Sequence, residues 1–202
     1  MTQFIKDIGP TLTGLMGSMV AVIALVVGYL TNRALYTLQR SKEERDEIYK
    51  KLNSFYGPFL QLRSESLLLY KKFAVAHKEA DPHFRTLTYL LAGGIFSGND
   101  AVLLRQILTI NNQLQLLLLA QGGLIDRSDV REELGSLGMH IRVLSLACDG
   151  ELSGAAVLFE DSTFPRNLDE ILSVEVNRLK GRLNELNATG SIIKFFQKLS
   201  YG

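Results

Sequence analysis

The feature that most constrains this chain is an uncharged stretch near its N-terminus. No Asp, Glu, Lys, Arg or His lies between Asp7 and Arg33. Within this stretch residues 11–31, TLTGLMGSMVAVIALVVGYLT, are long enough as an α-helix to cross about 30 Å of hydrocarbon. The basic leader and the small-residue cleavage site of a signal peptide are both missing from this region. The sequence therefore predicts one uncleaved transmembrane helix.

The charges on either side of this span predict its orientation. Lys6 is the basic residue that precedes it, whereas the following basic residues are Arg33, Arg40, Lys42, Arg45, Lys50 and Lys51. Lysine and arginine accumulate on the cytoplasmic side of a membrane span. We therefore expect an outside N-terminus and a cytoplasmic C-terminal domain, at the inner membrane if the protein is bacterial.

Small residues recur along the span at steps of three and four, which places them on one helical face. They are Gly14, Gly17, Ala21, Ala24 and Gly28. Small residues on one face let transmembrane helices approach closely, so the pattern predicts a parallel homo-oligomer. The alternative is chance, because glycine and alanine are frequent in membrane spans. We call these five residues the small-residue stripe.

Composition shifts along the chain predict three regions. Residues 1–31 form a tail and the transmembrane helix, and residues 32–52 form a polar helical stalk rich in both signs of charge. Residues 53–202 form a cytoplasmic multi-helix bundle that ends in an amphipathic helix. Apolar residues recur there at helical spacing, without an alternating strand pattern, so the fold class is predicted to be all-α.

Helix boundaries follow from glycine, proline and capping residues. We expect helices over residues 59–80, 82–92, 101–120, 128–148 and 165–187, a break at residues 187–190, and a terminal helix. Residues 151–160 fit a short helix or an extended segment. Residues 106–125 carry no charge, but their six amide side chains argue against a second membrane span.

Two groups of residues are not explained by the packing of a hydrophobic core alone. Four amides lie in the most apolar helix, where an unpaired buried amide costs about 1–3 kcal/mol; they are Asn111, Asn112, Gln113 and Gln115. These amides either form an exposed polar face or contribute to a ligand or subunit interface. The terminal helix has an apolar face formed by Ile192, Phe195, Phe196 and Leu199. That face either packs on the domain or lies on the membrane surface.

Catalytic and cofactor motifs are weak or missing. The formal net charge of +1 offers no electrostatic footprint for nucleic acid, and the single Cys148 excludes an intramolecular disulfide. His77, Asp81 and His83 have metal-capable side chains, but surface positions at a helix end explain them more simply. We therefore predict no enzyme, no cofactor and no metal site.

The sequence leaves competing functions open. The first is a non-enzymatic, membrane-anchored and homo-oligomeric protein whose cytoplasmic helical domain senses or recruits a protein partner or a small molecule. The second is a membrane-perturbing effector, as in defence or toxin modules, in which that domain gates the small-residue stripe. A membrane-tethered enzyme built on His77, Asp81 and His83 is the third. The first explains the anchor, the stalk and the missing chemistry together.

Overall fold

The computed structural model describes the backbone of residues 2–200 and the side-chain surroundings of residues 19–155, 157–159 and 161–188. All regular structure in the described backbone is helical, which confirms the predicted all-α class. The α-helices are α1 Thr2–Lys51, α2 Gly57–Lys72, α3 Val75–Ala80, α4 Thr86–Leu91, α5 Gly98–Gln121, α6 Ser128–Cys148 and α7 Leu168–Ser200. A π-helical turn, Leu52–Tyr56, joins α1 to α2, and short 3-10 segments occupy Gly122–Leu124 and Ala156–Ser162.

Helix α1 is long and apolar enough to cross a membrane, and the 18-residue stretch that meets this criterion is not buried by the rest of the chain. Among the described residues no other helix meets the criterion. The helix begins at Thr2, so Pro10 lies inside it, where a proline removes one backbone hydrogen bond of the helix.

The chain passes from α1 to α2 through the π-helical turn. The backbone N–H of Gly57 donates to the carbonyl of Leu52, five residues earlier, which closes a π-helical turn. A Cβ atom on Gly57 would lie 2.9 Å from that carbonyl oxygen. The turn therefore requires glycine at this position, while Pro58 starts α2 as expected.

The folded chain divides into two compact units, residues 1–46 with 185–202 and residues 47–184. The second unit has an extensive core, in which α2 packs along α5, and α4 and α5 pack against α6. Three fully buried aromatic side chains lie at its π-helical end: Phe55 contacts Tyr56 edge to face at 5.0 Å between ring centroids and Phe59 at 5.5 Å. Such aromatic pairs add to the burial of apolar surface.

Charged residues tie the helices of the second unit together. Lys51, at the end of α1, pairs with Glu47 at 2.7 Å and with Asp126 in the loop before α6. Burial disfavours the charged form of Lys51 and by itself would lower its pKa. The hydrogen bonds to these two carboxylates have the larger effect, so the pKa of Lys51 is raised. In α7, Glu175 is only 2% exposed and accepts hydrogen bonds from Arg178 at 2.8 Å and Arg127 at 3.3 Å. Its buried charge is therefore paired, as burial requires.

Several predicted boundaries are wrong. The first helix of the bundle ends at Lys72 and not near residue 80, because Ala74 adopts a left-handed conformation with φ of 52° and separates α2 from α3. Asp100 accepts a hydrogen bond from the backbone N–H of Ala74 at 3.0 Å and so stabilises this bend. The helix predicted over residues 82–92 is shorter, Thr86–Leu91.

The C-terminal part of the chain also differs from the prediction. Of the ambiguous residues 151–160, the first five form an irregular loop and the rest begin the 3-10 segment. Helix α7 continues to Ser200, so the break expected at residues 187–190 does not occur. Glycine inside a helix costs about 1 kcal/mol, which is too little to end a helix that its neighbours extend.

Candidate ligand-binding site

A cavity of about 780 Å³ opens among α2, α4, α5, α6 and the 3-10 segment of the second unit. Its volume lies in the range of about 300–1,000 Å³ that is usual for small-molecule sites. Most of its wall is apolar, formed by Leu67, Tyr70, Phe73, Leu87, Leu91, Leu104, Ile107, Leu114, Leu137, Ile141, Leu144, Phe159 and Phe164. A largely apolar wall with a few polar groups is typical of a site that binds a small organic molecule.

The polar part of the wall contains cationic and neutral side chains but no carboxylate. Its members are Arg63, Ser66, Arg85, Thr86, Thr88, Asn111, His140 and Thr163. These residues come from four α-helices and from the loops that flank α4 and α7. A polar group in an apolar cavity lowers the stability of the fold unless it has a hydrogen-bond partner. The hydrogen bonds of these side chains therefore show which of them are already satisfied within the protein.

Ser66 on α2 and Asn111 on α5 contact each other in the cavity wall. Each side chain is less than a tenth exposed. The Ser66 hydroxyl donates to the Asn111 Oδ1 atom at 3.4 Å. The Asn111 amide nitrogen donates to none of the described side chains or backbone groups, although it carries two N–H donors. Asn111 therefore offers hydrogen-bond donors inside the domain.

Thr86 begins α4 and is 8% exposed. Its hydroxyl oxygen has no hydrogen-bond partner within the described part of the chain. An unpartnered buried hydroxyl costs about 1–3 kcal/mol, and such groups are rare in native proteins. The oxygen has almost no accessible surface, so it is a buried polar group and does not contact a molecule in the cavity.

His140 on α6 has a fixed orientation in the wall. Its Nδ1 atom lies 2.8 Å from the carbonyl oxygen of Ser162, and since a carbonyl only accepts, Nδ1 carries the proton and donates. The ring also meets Phe164 edge to face at 5.7 Å. Burial lowers the pKa of His140, although the hydrogen bond to Ser162 partly opposes this. The neutral ring then has Nε2 as an acceptor.

The two arginines of the wall differ in their partners. Arg63 donates two hydrogen bonds to the carboxylate of Asp169, at 3.1 and 3.0 Å, and its guanidinium lies 4.2 Å from the ring centroid of Phe164. Arg85 is exposed and has no carboxylate within 4 Å among the described residues. The charge of Arg63 is thus balanced within the protein, and that of Arg85 is not.

The four amides, which the sequence assigned either to an exposed polar face or to an interface, separate in the structure. Asn111 lines the cavity, and Gln115 is half-buried and donates to the Gly138 carbonyl at 3.1 Å, which ties α5 to α6. Asn112 and Gln113 are exposed. The four amides therefore do not form one surface: Asn112 and Gln113 face solvent, whereas Asn111 faces the cavity and Gln115 joins two helices.

The described residues of the small-residue stripe are not among those that line this cavity. Ala21, Ala24 and Gly28 of the small-residue stripe are exposed, and a Cβ atom on Gly28 would meet nothing within 4 Å. The remaining stripe residues and the apolar face of the terminal helix lie outside the residues whose side-chain surroundings are described; they are Gly14, Gly17, Ile192, Phe195, Phe196 and Leu199.

The residues considered for metal binding have other contacts. The His77 ring stacks on Phe84 at 5.1 Å, and Asp81 accepts a hydrogen bond from the backbone N–H of His83 at 2.8 Å. Within the described side chains no group of three His, Cys, Asp or Glu residues is placed to hold a metal ion. Burial raises the pKa of the Cys148 thiol, so this cysteine is less reactive than a free thiol.

Sequence reasoning identified one cavity residue, Asn111, and missed Ser66, Thr86 and Arg85. A polar residue on the apolar face of a helix was the available signal for Ser66 and His140. No protein family model, no characterised protein and no solved structure matches this chain.

Proposed function

We propose that this protein is a membrane-anchored, non-enzymatic sensor whose helical domain binds a small molecule in the cavity. The observation that carries the proposal is the cavity itself, which is large, mainly apolar and lined by a few polar side chains, among them Asn111, whose amide donors have no partner among the described residues. The same wall has no carboxylate to act as a general acid or base. These features favour binding over catalysis.

The anchor is residues 11–31 of α1, and the bundle lies in the cytoplasm. The apolar length of the helix and the excess of basic residues after the span support this arrangement. A cysteine placed by Asn112→Cys at an exposed position of the domain, together with Cys148→Ser, reports the orientation. In a spheroplast, a membrane-impermeant maleimide should label it only after the membrane is permeabilised, and labelling in the intact spheroplast would reverse the proposed topology.

The domain is held in a homo-oligomer through the small-residue stripe. Support comes from the spacing of its members and from the exposure of Ala21, Ala24 and Gly28. A clustered anchor would let occupancy of the cavity change the arrangement of the subunits or the recruitment of a cytoplasmic protein. Ligand binding would thus regulate the assembly of the protein or its contact with a cytoplasmic partner.

Thermal unfolding tests the binding function. The full-length protein in nanodiscs is screened against small amphipathic molecules that are anionic, neutral or cationic. A molecule present at a hundred times its Kd should raise the unfolding midpoint by about 5–10 °C, because it stabilises the folded state by about 2.7 kcal/mol. The midpoint is read from circular dichroism at 222 nm.

A matched pair of variants assigns any such effect to the cavity. Thr88 is exposed at the cavity wall and Thr109 is exposed on α5 outside it. Thr88→Trp should abolish the rise in midpoint and Thr109→Trp should leave it unchanged. If no member of the three charge classes stabilises the wild type, or if both variants respond like the wild type, the cavity is not a ligand site.

A further inference from the structure

Two polar side chains of the cavity wall have unused hydrogen-bonding capacity, and the first is Asn111. Its Oδ1 atom accepts from Ser66, whereas its amide nitrogen donates to no group in the described part of the chain. Among the described side chains, Thr86 Oγ1 is the fully enclosed polar atom without a partner, so the unpartnered nitrogen of Asn111 retains accessible surface. Because Asn111 is only 8% exposed and lines the cavity, this nitrogen offers its donors to the cavity.

The second group is the Nε2 atom of His140. Since Nδ1 donates its proton to the Ser162 carbonyl at 2.8 Å, Nε2 is the acceptor of the neutral ring. Nε2 has no donor among the described residues and is not one of their fully enclosed atoms. Burial, together with the nearby charge of Arg63, lowers the pKa of His140 despite the bond to Ser162. The ring therefore stays neutral at neutral pH and presents an acceptor to the cavity.

The packing of α5 against α6 brings these two groups to the same level of the cavity. A short connection, residues 122–127, joins the two helices, so they run antiparallel. Gln115 of α5 donates to the Gly138 carbonyl of α6 and fixes their register. From that bond Asn111 lies one helical turn back along α5, and His140 lies two residues forward along α6, which is the same direction. Their heights along the pair therefore differ by less than one turn.

The charges near this pair are balanced. The guanidinium of Arg63 lies 4.2 Å from the ring centroid of Phe164, the ring that His140 contacts edge to face. Asp169 accepts two hydrogen bonds from Arg63 and compensates its charge. No carboxylate lines the cavity. A charged group placed beside Asn111 would lose its water without gaining a free counter-charge, so an uncharged group is favoured.

Resting on the proposed function, we propose that the ligand is an uncharged, mainly apolar molecule with a hydroxyl group that accepts from Asn111 and donates to His140. A hydroxyl has one donor and two acceptor sites, so one oxygen serves both the amide nitrogen and Nε2. The leucine, isoleucine and phenylalanine side chains that form most of the wall contact the apolar body. An ether or a carbonyl satisfies Asn111 alone and leaves Nε2 without a donor.

Equilibrium dialysis with naphthalene probes, each substituted at the β carbon, tests this polar group. Naphthol donates and accepts, methoxynaphthalene only accepts, ethylnaphthalene does neither, and naphthoate is an anion. At about pH 7.5 a phenol is uncharged and a carboxylic acid is ionised. The full-length protein in phosphatidylcholine nanodiscs occupies one chamber and empty nanodiscs at equal lipid occupy the other, so partition into lipid cancels.

The affinities should follow the number of hydrogen bonds that each probe forms. We expect affinity to fall about fivefold from naphthol to methoxynaphthalene and about fivefold again to ethylnaphthalene. Naphthoate should bind at least about fivefold more weakly than naphthol, because its charge loses water without a free counter-charge.

Two variants assign the two hydrogen bonds. Asn111→Leu removes the donors at similar volume and should weaken binding of naphthol and of methoxynaphthalene about fivefold each, without weakening that of ethylnaphthalene. His140→Phe keeps a ring against Phe164 but removes the acceptor, so the preference for naphthol over methoxynaphthalene should disappear. Asn112→Leu and His83→Phe, at exposed positions, are the matched controls and should bind like the wild type.

A second readout covers the case in which His140→Phe does not fold, since it also loses the bond to Ser162. Wild-type protein labelled with nitrogen-15 at histidine is followed by NMR, and the His140 signals are assigned with His77→Gln and His83→Gln. Naphthol should move the Nε2 signal upfield, towards that of a protonated nitrogen, relative to methoxynaphthalene. An Nε2 signal that is the same with both probes would contradict the bond to His140.

The outcomes separate this inference from the proposed function. Equal binding of the uncharged probes that Thr88→Trp abolishes would overturn the hydroxyl site and leave the ligand cavity standing. Tighter binding of naphthoate than of naphthol would also overturn it, as would a preference for naphthol that persists in both Asn111→Leu and His140→Phe. If none of the probes binds, the inference fails, and the proposed function fails with it only when the thermal screen is equally blank.

Discussion

At the scale of single residues, His140 is the group through which acidity affects the cavity. Its Nδ1–H donates to Ser162, its ring contacts Phe164 and burial holds its pKa below the usual value of 6.5. The unfolded chain therefore takes up a proton at a higher pH than the folded chain does. Linkage then requires that stability falls as the pH drops below 6.5 and is fully present above it.

We expect His140→Gln to reduce this dependence on pH. The free energy of unfolding of the wild type should fall from about pH 7.5 to about pH 5.5 by more than that of the variant, because glutamine does not titrate. Thermal unfolding in nanodiscs at several pH values measures the difference. His83→Gln, at an exposed histidine, is the control and should retain the wild-type slope. Parallel slopes for wild type and His140→Gln would contradict the assignment.

The cavity residues explain why sequence alone predicts the site poorly. Asn111 was conspicuous because it interrupts an apolar helix, whereas Thr86 and Arg85 are ordinary residues at a helix start. They line the same cavity as Asn111 because α4 packs against α6. Sequence spacing carries no information about such contacts between separate helices.

At the scale of elements, hydrophobic periodicity predicted the long helices well and the connections poorly. Helix α5 was expected over residues 101–120 and occupies Gly98–Gln121, since Leu104, Ile107 and Leu114 lie on one buried face. The left-handed Ala74 and the π-helical turn Leu52–Tyr56 were not predicted. The bend at Ala74 depends on a contact with a residue distant in the sequence, Asp100.

The π-helical turn gives a prediction for two glycines. Gly57→Ala should destabilise the domain by about 1–3 kcal/mol, because the new Cβ atom would meet the Leu52 carbonyl at 2.9 Å. Gly181→Ala, on the exposed side of α7 with nothing within 4 Å, should stabilise it by about 0.5–1 kcal/mol. The midpoint of thermal unfolding should therefore move in opposite directions. A rise for Gly57→Ala would mean that the turn relaxes into a regular helix without cost.

At the scale of the whole molecule, the span was the most predictable feature, since length and apolar composition alone define it. Whether this helix self-associates was less predictable, because the spacing of the small-residue stripe is compatible both with tight helix packing and with chance. The predicted regions 1–31, 32–52 and 53–202 follow composition, whereas the folded chain groups residues 185–202 with the unit that contains the span.

The stripe predicts a selective loss of self-association. Ala21→Leu adds bulk to the stripe and should reduce the oligomer in detergent, because close approach of the helices is blocked. Val26→Leu adds bulk about half a turn away from the stripe and should leave the oligomer intact. Light scattering of the full-length protein measures the mass. Equal masses for wild type and both variants would place assembly elsewhere in the protein.

Induced expression distinguishes the sensor from a membrane-perturbing effector. We expect the membrane potential of cells, followed with a potential-sensitive dye, to persist when the protein and a cavity ligand are both present. A collapse of the potential that Ala21→Leu prevents and Val26→Leu does not would favour the effector. The stripe would then act as a gate.

The sharpest test of ligand binding is native mass spectrometry of the full-length protein, purified gently from the cells that make it. We expect an added mass in the range of a small organic molecule on the wild type and on Thr109→Trp. Thr88→Trp, which blocks the cavity, and Ser66→Leu, which fills it, should both lack that mass. The same added mass on all four proteins, or none on the wild type even after incubation with compounds from the thermal screen, would contradict a ligand-binding cavity.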